Sequence, residues 1–474
     1  MRALTVIFIF LPFLLGFIAY LLPRTDRFLA TTASLLSIVC GGIILVTRQE
    51  FSLVLMGNFG VSLTVDNLSG YFILTNGLVT LAVVIYAWLK SKSPYFYTQL
   101  TILHGSVNSV FCCADFITLY VSLEVIAIAT SLLISYPRTN RSIWIGLRYL
   151  LVSNTVMLFY LVGVVLVFQA QGSFAFTALD NASPEATSLI LLGLLTKGGI
   201  FLSGMWLPLT HAESESPVSA TLSGIVVKTG IFPIIRCAQM VEELTPIVEI
   251  FSTATATLGV VLGIFCTDIK RIFAFSTISQ LGYILAGNAT AGFYALAHGL
   301  AKAGLFLTSS TLPSRQVGSI SGIPFSSWLV LVVCSLSIMG VPGLVGFSAK
   351  DLVLTSLPPW QSLWLNICSI GTSIILSPVL LLPLQGKKLE MENSPGIFLS
   401  AILVMGSFLY LNSYRWDKIS QTLILVGLGA GIYYLILRRL KWNYFSPLEK
   451  LDNLLSLVTI VAILIFSLIA YELP

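Results

Sequence analysis

Four lysines stand where lysine is costly. Lys197 lies in LLGLLTKGGIFLSGMWLPL, Lys228 in SGIVVKTGIFPIIR, Lys302 in HGLAKAGLFL and Lys350 in GVPGLVGFSAKDLVL, each within or beside an apolar run. Glu124, in ITLYVSLEVIAIATSLLI, supplies the opposite sign. An ionised group at a bilayer centre costs roughly 2.5–3.5 kcal/mol, so five facing lipid would cost on the order of 12–18 kcal/mol. They are tolerable only where they face protein or internal water. Titratable groups held in that way suit the movement of charge. His298 and Lys302 are four residues apart and share a helix face; imidazole is the side chain that titrates nearest neutrality. Ser276, Ser279, Gln280 and Tyr283 form a polar stripe at helical spacing, suited to holding water or to joining helices.

Each of these residues also has a plainer reading. Glu124 could be satisfied by a neighbouring helix, and His298 could close a packed polar contact. Lys350 could reach headgroups from a helix end, and Lys228 could snorkel to the interface. Against snorkelling, Ile225–Val227 precede Lys228 and Ile231–Ile235 follow it, a central position.

The elements that must hold these groups are transmembrane helices. Of 474 residues, 56% are hydrophobic and 9% charged, against about 25% charged in a soluble domain; the mean hydropathy is +0.95. The apolar runs are continuous, which excludes the alternating strands of a membrane barrel. A net charge of +5 implies no nucleic-acid partner. Spans of about 20 residues are expected near 3–22, 28–47, 68–89, 96–114, 116–136, 145–169, 186–208 and 217–240. Others are expected near 246–266, 270–287, 290–311, 326–357, 361–383, 395–412, 419–437 and 451–471. The fold class is thus an all-α polytopic membrane protein of roughly 14–16 helices, with modestly polar linkers at 48–66, 170–185 and 384–394. The first apolar stretch is long enough to span and lacks a small-residue cleavage site, so it reads as a retained helix. Arg24, Arg27, Lys90, Lys92, Arg138 and Arg141 fall on one side, Arg2 and Arg48 on the other. The positive-inside rule puts the first group in the cytoplasm and the N-terminus outside.

Two hydrophobic segments, KGGIFLSGMWLPLTHAESESPVSA and GVPGLVGFSAKD, combine a lysine with Gly and Pro. Broken helices are tolerated at membrane depth where they line a cavity or pack on protein. Paired breaks in two halves point to an inverted repeat and its ion path. Seven cysteines are scattered, with only Cys112 and Cys113 close, and the three histidines show no ligand spacing. No cofactor or metal is expected on this chain, and its standing as an enzyme is left open.

The stretch from Trp206 through His211, Glu213, Glu215, Pro217 and Ser219 to Lys228 and Arg236 resembles a superfamily signature. It is similar to the antiporter-like subunits of respiratory complex I and of multisubunit, Mrp-type Na+/H+ antiporters. Asp268-Ile-Lys270-Arg271, Ser276-Thr-Ile-Ser279-Gln280-Leu-Gly282-Tyr283, His298-x-x-x-Lys302 and Gly346-Phe-Ser-Ala-Lys350-Asp351 follow in family order, from Asp115 to Asp351. The resemblance implies two inverted five-helix repeats, each with a broken helix. They would occupy 96–240, broken near 197–217, and 241–383, broken near 340–350. N-terminal helices (1–95) and C-terminal helices (384–474) would flank them.

The resemblance further implies a proton pathway from Glu124 and Lys197 through Lys228, His298 and Lys302 to Lys350, with Asp115, Arg148, His211, Ser276, Ser279 and Asp351 in support. A carboxylate within about 4–6 Å of a buried lysine favours its charged form, so changing their separation would load or release a proton. Lysine at 228 favours the Mrp D-type or complex I N-type subunit over the L-type, and lysine at 350 disfavours the M-type. The chain stops soon after its last span, without the lateral helix of L-type subunits. Arg148 stands where many relatives have lysine and would tune the field rather than carry protons. Two segments after 412 add to the family core.

The leading expectation is a proton-translocating subunit of a multisubunit cation/proton antiporter. The alternative is a proton-pumping subunit of an NAD(P)H or ferredoxin:quinone oxidoreductase or membrane hydrogenase. Partners would be other membrane subunits and lipid. The ion is H+, with Na+ as a candidate for exchange, in a bacterial-type plasma membrane or a thylakoid or organelle membrane. A stand-alone solute transporter or scaffold would not retain so many buried charges.

Overall fold

The computed structural model describes residues 2–56, 60–386, 393–440 and 446–472. Parts of the expected linkers at 48–66 and 384–394, and residues 473–474 at the chain's end, lie outside the described residues. The N-terminal helices are α1 (Arg2–Leu21), α2 (Asp26–Thr47), α3 (Asn67–Leu89), α4 (Pro94–Val110), α5 (Phe116–Ile134) and α6 (Asn140–Gln171). The centre holds α7 (Pro184–Lys197), α8 (Trp206–Glu213), α9 (Ser216–Thr221), α10 (Lys228–Met240), α11 (Leu244–Gly263), α12 (Ile269–Ala286) and α13 (Ala291–Thr308). After them come α14 (Phe325–Met339), α15 (Val345–Ser356), α16 (Pro359–Leu380), α17 (Ser394–Met405), α18 (Trp416–Leu435) and α19 (Leu451–Glu472). Strands β1 (Phe51–Val54) and β2 (Ser62–Val65) pair antiparallel, Phe51 opposite Val65, between α2 and α3.

Among the described residues, eleven helical stretches are long and apolar enough to cross a membrane, and the shorter apolar helices Val6–Leu21 and Phe325–Met339 accompany them. Those two, with α4, α12 and α13, make up the rest of the 14–16 expected. The helices α4, α12 and α13 are 17, 18 and 18 residues long but carry His104, Lys270, Arg271, His298 and Lys302. A helix enclosed by other helices need not be apolar all round. The expected span 326–357 is two helices meeting at Gly340, and 395–412 leaves α-geometry after Met405 for 3-10 turns to Ser413.

Burial is graded across the bundle. Residues Ser216–Cys237 are wholly enclosed by protein, whereas α18 is almost wholly exposed on its outer faces. Lys228 therefore sits at the centre, and lipid can wet only the periphery.

Acidic side chains start several helices. Asp66, Asp115 and Asp268 accept hydrogen bonds from the backbone N–H of Ser69, Thr118 and Arg271 at 2.9, 2.7 and 3.0 Å, satisfying orphan donors of the first turns. The helix α6 opens with a reciprocal cap: Ser142 N–H donates to Thr139 Oγ1 at 3.1 Å, and Thr139 N–H to Ser142 Oγ at 3.0 Å.

Basic residues gather at one end of the bundle. Arg27 lies over the Trp88 ring, Lys92 bonds Glu215 at 2.8 Å, and Arg141 meets Glu213 at 3.4 Å. Arg315 pairs with Asp268 at 2.9 Å and Arg271 with Glu449 at 2.6 Å. At the other end the β1–β2 hairpin covers the start of α3, where Arg236 clamps Asp66 at 2.5 and 2.6 Å.

Candidate functional site: a line of buried cations

The first break is shorter than expected. It runs from Gly198 to Met205, because Trp206–Glu213 is helical and Ser216 begins α9. His211 and Glu213 therefore belong to α8 rather than to a loop. Gly199 has φ +69° and Phe201 φ +49°, so the chain turns through the left-handed region twice. At Phe201 this is strained backbone, of the kind that clusters at functional sites. The Trp206 indole donates to the Thr196 carbonyl at 2.8 Å, satisfying one acceptor left open where α7 stops.

Lys197, the last residue of α7, donates its ammonium to Ser153 Oγ on α6. Tyr149, Ser153, Thr196, Lys197 and Trp206 line a void of about 10 Å³, about the size of one water. Glu124 on α5 forms no ion pair with Lys197 within 4.0 Å among the described residues. Its Oε1 is buried without a hydrogen-bond partner. The two side chains implied as a pair thus make no direct contact.

A π-helical turn over Leu222–Val226 precedes Lys228. Such one-turn widenings recur at functional sites because they release backbone acceptors. The Ser223 and Gly224 carbonyls accept from Lys228 Nζ at 3.2 and 2.6 Å, and His298 Nδ1 lies 3.1 Å from the same nitrogen. Lys228 is completely buried. While its ammonium donates to Nδ1, the imidazole proton sits on Nε2, which is buried and unpartnered. If the amine is neutral, the donor and acceptor can exchange roles. Proton occupancy then belongs to the pair rather than to either residue.

One helical turn beyond His298, Lys302 donates to the Phe273 carbonyl at 3.0 Å and to Ser276 Oγ, both on α12. Ser223 and Thr277 join at 2.8 Å, tying the π-turn to α12. The expected stripe continues along α12. Gln280 donates to Thr372 at 3.1 Å, has Ser279 Oγ at 3.5 Å, and accepts from Tyr294. The Tyr283 hydroxyl donates to the Leu365 carbonyl at 2.5 Å and lies 2.9 Å from Ser369 Oγ. Its ring carries Lys350 at 5.0 Å. These groups join α12 to α13 and α16 and lie between Lys302 and Lys350 along α12.

The second break has a different construction. Gly340, at φ +87°, ends α14 in the left-handed region that a side chain would resist. Lys350, on α15, reaches back to the Ile338 and Met339 carbonyls at 3.2 and 3.3 Å. A cation thus caps the open, negative end of α14. The close fit depends on Gly346, where a Cβ would lie 1.8 Å from the Ser337 carbonyl oxygen.

The supporting residues divide. His211 donates Nδ1–H to the Leu207 carbonyl at 2.9 Å and leaves Nε2 buried and unpartnered. Asp115 is a helix cap that also accepts from Ser62 N–H at 2.7 Å; the structure gives it no contact with the cation line. Arg148 donates Nη2–H to the Glu449 carbonyl at 2.7 Å, while its Nε and Nη1 have no hydrogen-bond partner. Asp351 pairs with Lys418 at 3.5 Å.

Sequence reasoning missed four residues: Ser153, Glu449, Lys418 and His104. His104 is buried with Ser37 at 2.7 Å and Thr80 at 3.0 Å on its two ring nitrogens. Asn76 and Asn108 join the same cluster at 2.8 Å. The i, i+4 pairs Asn76/Thr80 and His104/Asn108, inside apolar helices, were the available signal. The cysteines are free and buried. Among the described residues, no three His, Cys, Asp or Glu side chains gather as a metal site would require.

Comparisons with known proteins agree with this layout. The profile of the NADH:quinone oxidoreductase/Mrp antiporter transmembrane family matches residues 113–376, which hold every cation of the line. The NADH-quinone oxidoreductase subunit N of Desulforudis audaxviator is 27% identical over 359 residues, 68% of this chain and 71% of the relative. The D-type subunit of the Na(+)/H(+) antiporter of Alkalihalophilus pseudofirmus is 26% identical over 326 residues, 62% of this chain and 66% of the relative. The NAD(P)H-quinone oxidoreductase chain 4 1 of Synechococcus elongatus reaches 30% over 360 residues, 68% and 66%. Two solved structures share the fold. One is a chain of the Mrp complex from Dietzia sp., with TM-score 0.79 and 17% identity, covering 96% of this chain and 100% of that one. The other is a chain of an archaeal membrane-bound sulfane sulfur reductase, with TM-score 0.78 and 18% identity, covering 91% and 99%. The chain is an integral membrane protein of the NADH:quinone oxidoreductase/Mrp antiporter family.

Proposed function

We propose that the chain translocates protons as a membrane subunit of a multisubunit cation/proton antiporter. The observation that carries this reading is the line of enclosed cations. Lys197, Lys228, Lys302 and Lys350 are all buried, and among the described residues none has a carboxylate within 4.0 Å. They are held by carbonyls, hydroxyls and one imidazole. Uncompensated buried charge is poor for stability, so its repetition argues for use.

Protons enter beside Glu124 and Lys197 and pass to the Lys228–His298 pair. They continue to Lys302 and leave from Lys350. Glu124, separated from Lys197, loads the first lysine when the two approach. No covalent chemistry is needed. The two halves 96–240 and 241–383 act as inverted repeats; the paired breaks at Gly198 and Gly340 support that division. The basic end of the bundle faces the cytoplasm, on the positive-inside rule.

A second reading has its own support. Relatives named as NAD(P)H-quinone oxidoreductase chain 4 and NADH-quinone oxidoreductase subunit N match as well as the antiporter relative. There the same line would be driven by redox subunits on other chains. In both readings the partners are other membrane subunits. The test is proton flux in membrane vesicles holding the assembled complex. Glu124→Gln and Lys197→Ala each abolish flux while the complex still assembles, and undiminished flux in both refutes the pathway. Driving with a Na+ gradient or with a reduced electron donor separates the two readings.

A further inference from the structure

Beside Lys350 lies a cavity of about 80 Å³, lined by Lys350, Asp351, Asn366, Ser369, Lys418 and Gln421. Part of its polar wall comes from α18, a helix beyond the 113–376 family match. Across the cavity, Lys418 at the start of α18 meets Asp351, the residue next to Lys350, at 3.5 Å. Both are partly exposed, at 29% and 16%.

We propose that the Asp351–Lys418 pair gates proton release from Lys350, with the polar face of α18 forming the outlet. This rests on the proton-translocation reading above. Three features point the same way. The cavity has room for water and polar groups to hold it. Its wall includes a partly solvated ion pair, an interaction weak enough to open repeatedly. The helix that carries Lys418 is peripheral, and packs closely on α16 at Gly429, where a Cβ would lie 2.5 Å from the Ile370 carbonyl oxygen. Gly429 is three turns from Lys418, which leaves the gating end of α18 free of that contact.

While Lys418 occupies Asp351, the carboxylate is a poor proton acceptor and Lys350 keeps its proton. When the pair parts, Asp351 and cavity water accept the proton and pass it to bulk. Lys418 is therefore a positioning residue, acting through Asp351.

The experiment uses vesicles containing the full chain with its partner subunits, read by a pH-sensitive dye. Passive leak is followed after an imposed pH step without a driving ion or donor, and coupled flux with one. Lys418→Gln raises the leak at least about threefold, Lys418→Arg holds it low, and the double exchange Asp351→Lys with Lys418→Asp restores the low leak. Adding Lys350→Ala to Lys418→Gln removes the extra leak. A Lys418→Gln leak equal to that of the parent, while Lys350→Ala alone abolishes coupled flux, overturns the gate and leaves the pathway standing. Coupled flux surviving Lys350→Ala overturns the pathway itself. Should Lys418→Gln fail to assemble, Thr422→Phe fills the outlet from the same helix, and undiminished coupled flux in that variant refutes the proposal.

Discussion

Lys228→Met separates a structural role from a functional one most cleanly. The substitution keeps an unbranched side chain of similar length and removes only the charge and its donors. Two effects on stability oppose each other. Losing a central cation saves roughly 2.5–3.5 kcal/mol on insertion scales. Losing the donors to Ser223 and Gly224 costs about 1.5–3 kcal/mol for each charge-assisted bond. The net runs from about 0.5 kcal/mol stabilising to about 3.5 kcal/mol destabilising, so the variant folds with at most a modest fall in melting temperature. Flux behaves differently. Lys228 contacts His298 at 3.1 Å, and a positioned proton-transfer group contributes about 10²–10⁴-fold. We expect coupled flux in assembled vesicles to fall at least about 100-fold, with at most that modest shift of the thermal unfolding curve in detergent. Flux above about one-tenth of the parent value would show that protons bypass the bundle centre. A large drop in stability at normal specific flux would make Lys228 a structural strut.

Other expectations follow from particular contacts. Gly346→Ala forces a Cβ onto the Ser337 carbonyl; overpacking of this kind costs about 1–3 kcal/mol, read as a lower melting temperature together with reduced flux. Burial pushes the Asp66 carboxyl up, but the Arg236 guanidinium and the Ser69 bonds outweigh it and hold the group below its usual 3.8. Its stabilisation is complete above that range and lost as pH falls through the lowered value. A melting-temperature series at acid pH should therefore decline for the parent and flatten for Asp66→Asn. Glu449→Gln weakens the two 2.6 Å contacts with Arg271 and should loosen the start of α19; proteolysis near residue 450 should quicken, and unchanged cleavage counts against the clamp. His104→Leu removes one partner each from Ser37 and Thr80, which keep bonds to Asn108 and Asn76; at about 0.5–1.5 kcal/mol per lost bond this is detectable as a lower melting temperature with the flux per assembled complex retained.

The amino-acid sequence by itself determined the membrane class, the cations and their order along the chain. Those rest on local properties: an apolar run long enough to span, a lysine inside it, a Gly–Pro interruption. The breaks could be placed, but not their lengths. Whether Trp206–Glu213 resumes a helix depends on Trp206 finding the Thr196 carbonyl, and no periodicity reports that contact. Only the tertiary structure decided who touches whom. It brought Lys228 to His298 across 70 residues, held Glu124 apart from Lys197, and turned Arg148 toward Glu449, 301 residues away. Such pairings follow from helix packing, where close approach at glycines such as Gly230 against Gly198 fixes which polar faces meet. That geometry is a property of the assembled bundle, so a single segment's pattern cannot carry it.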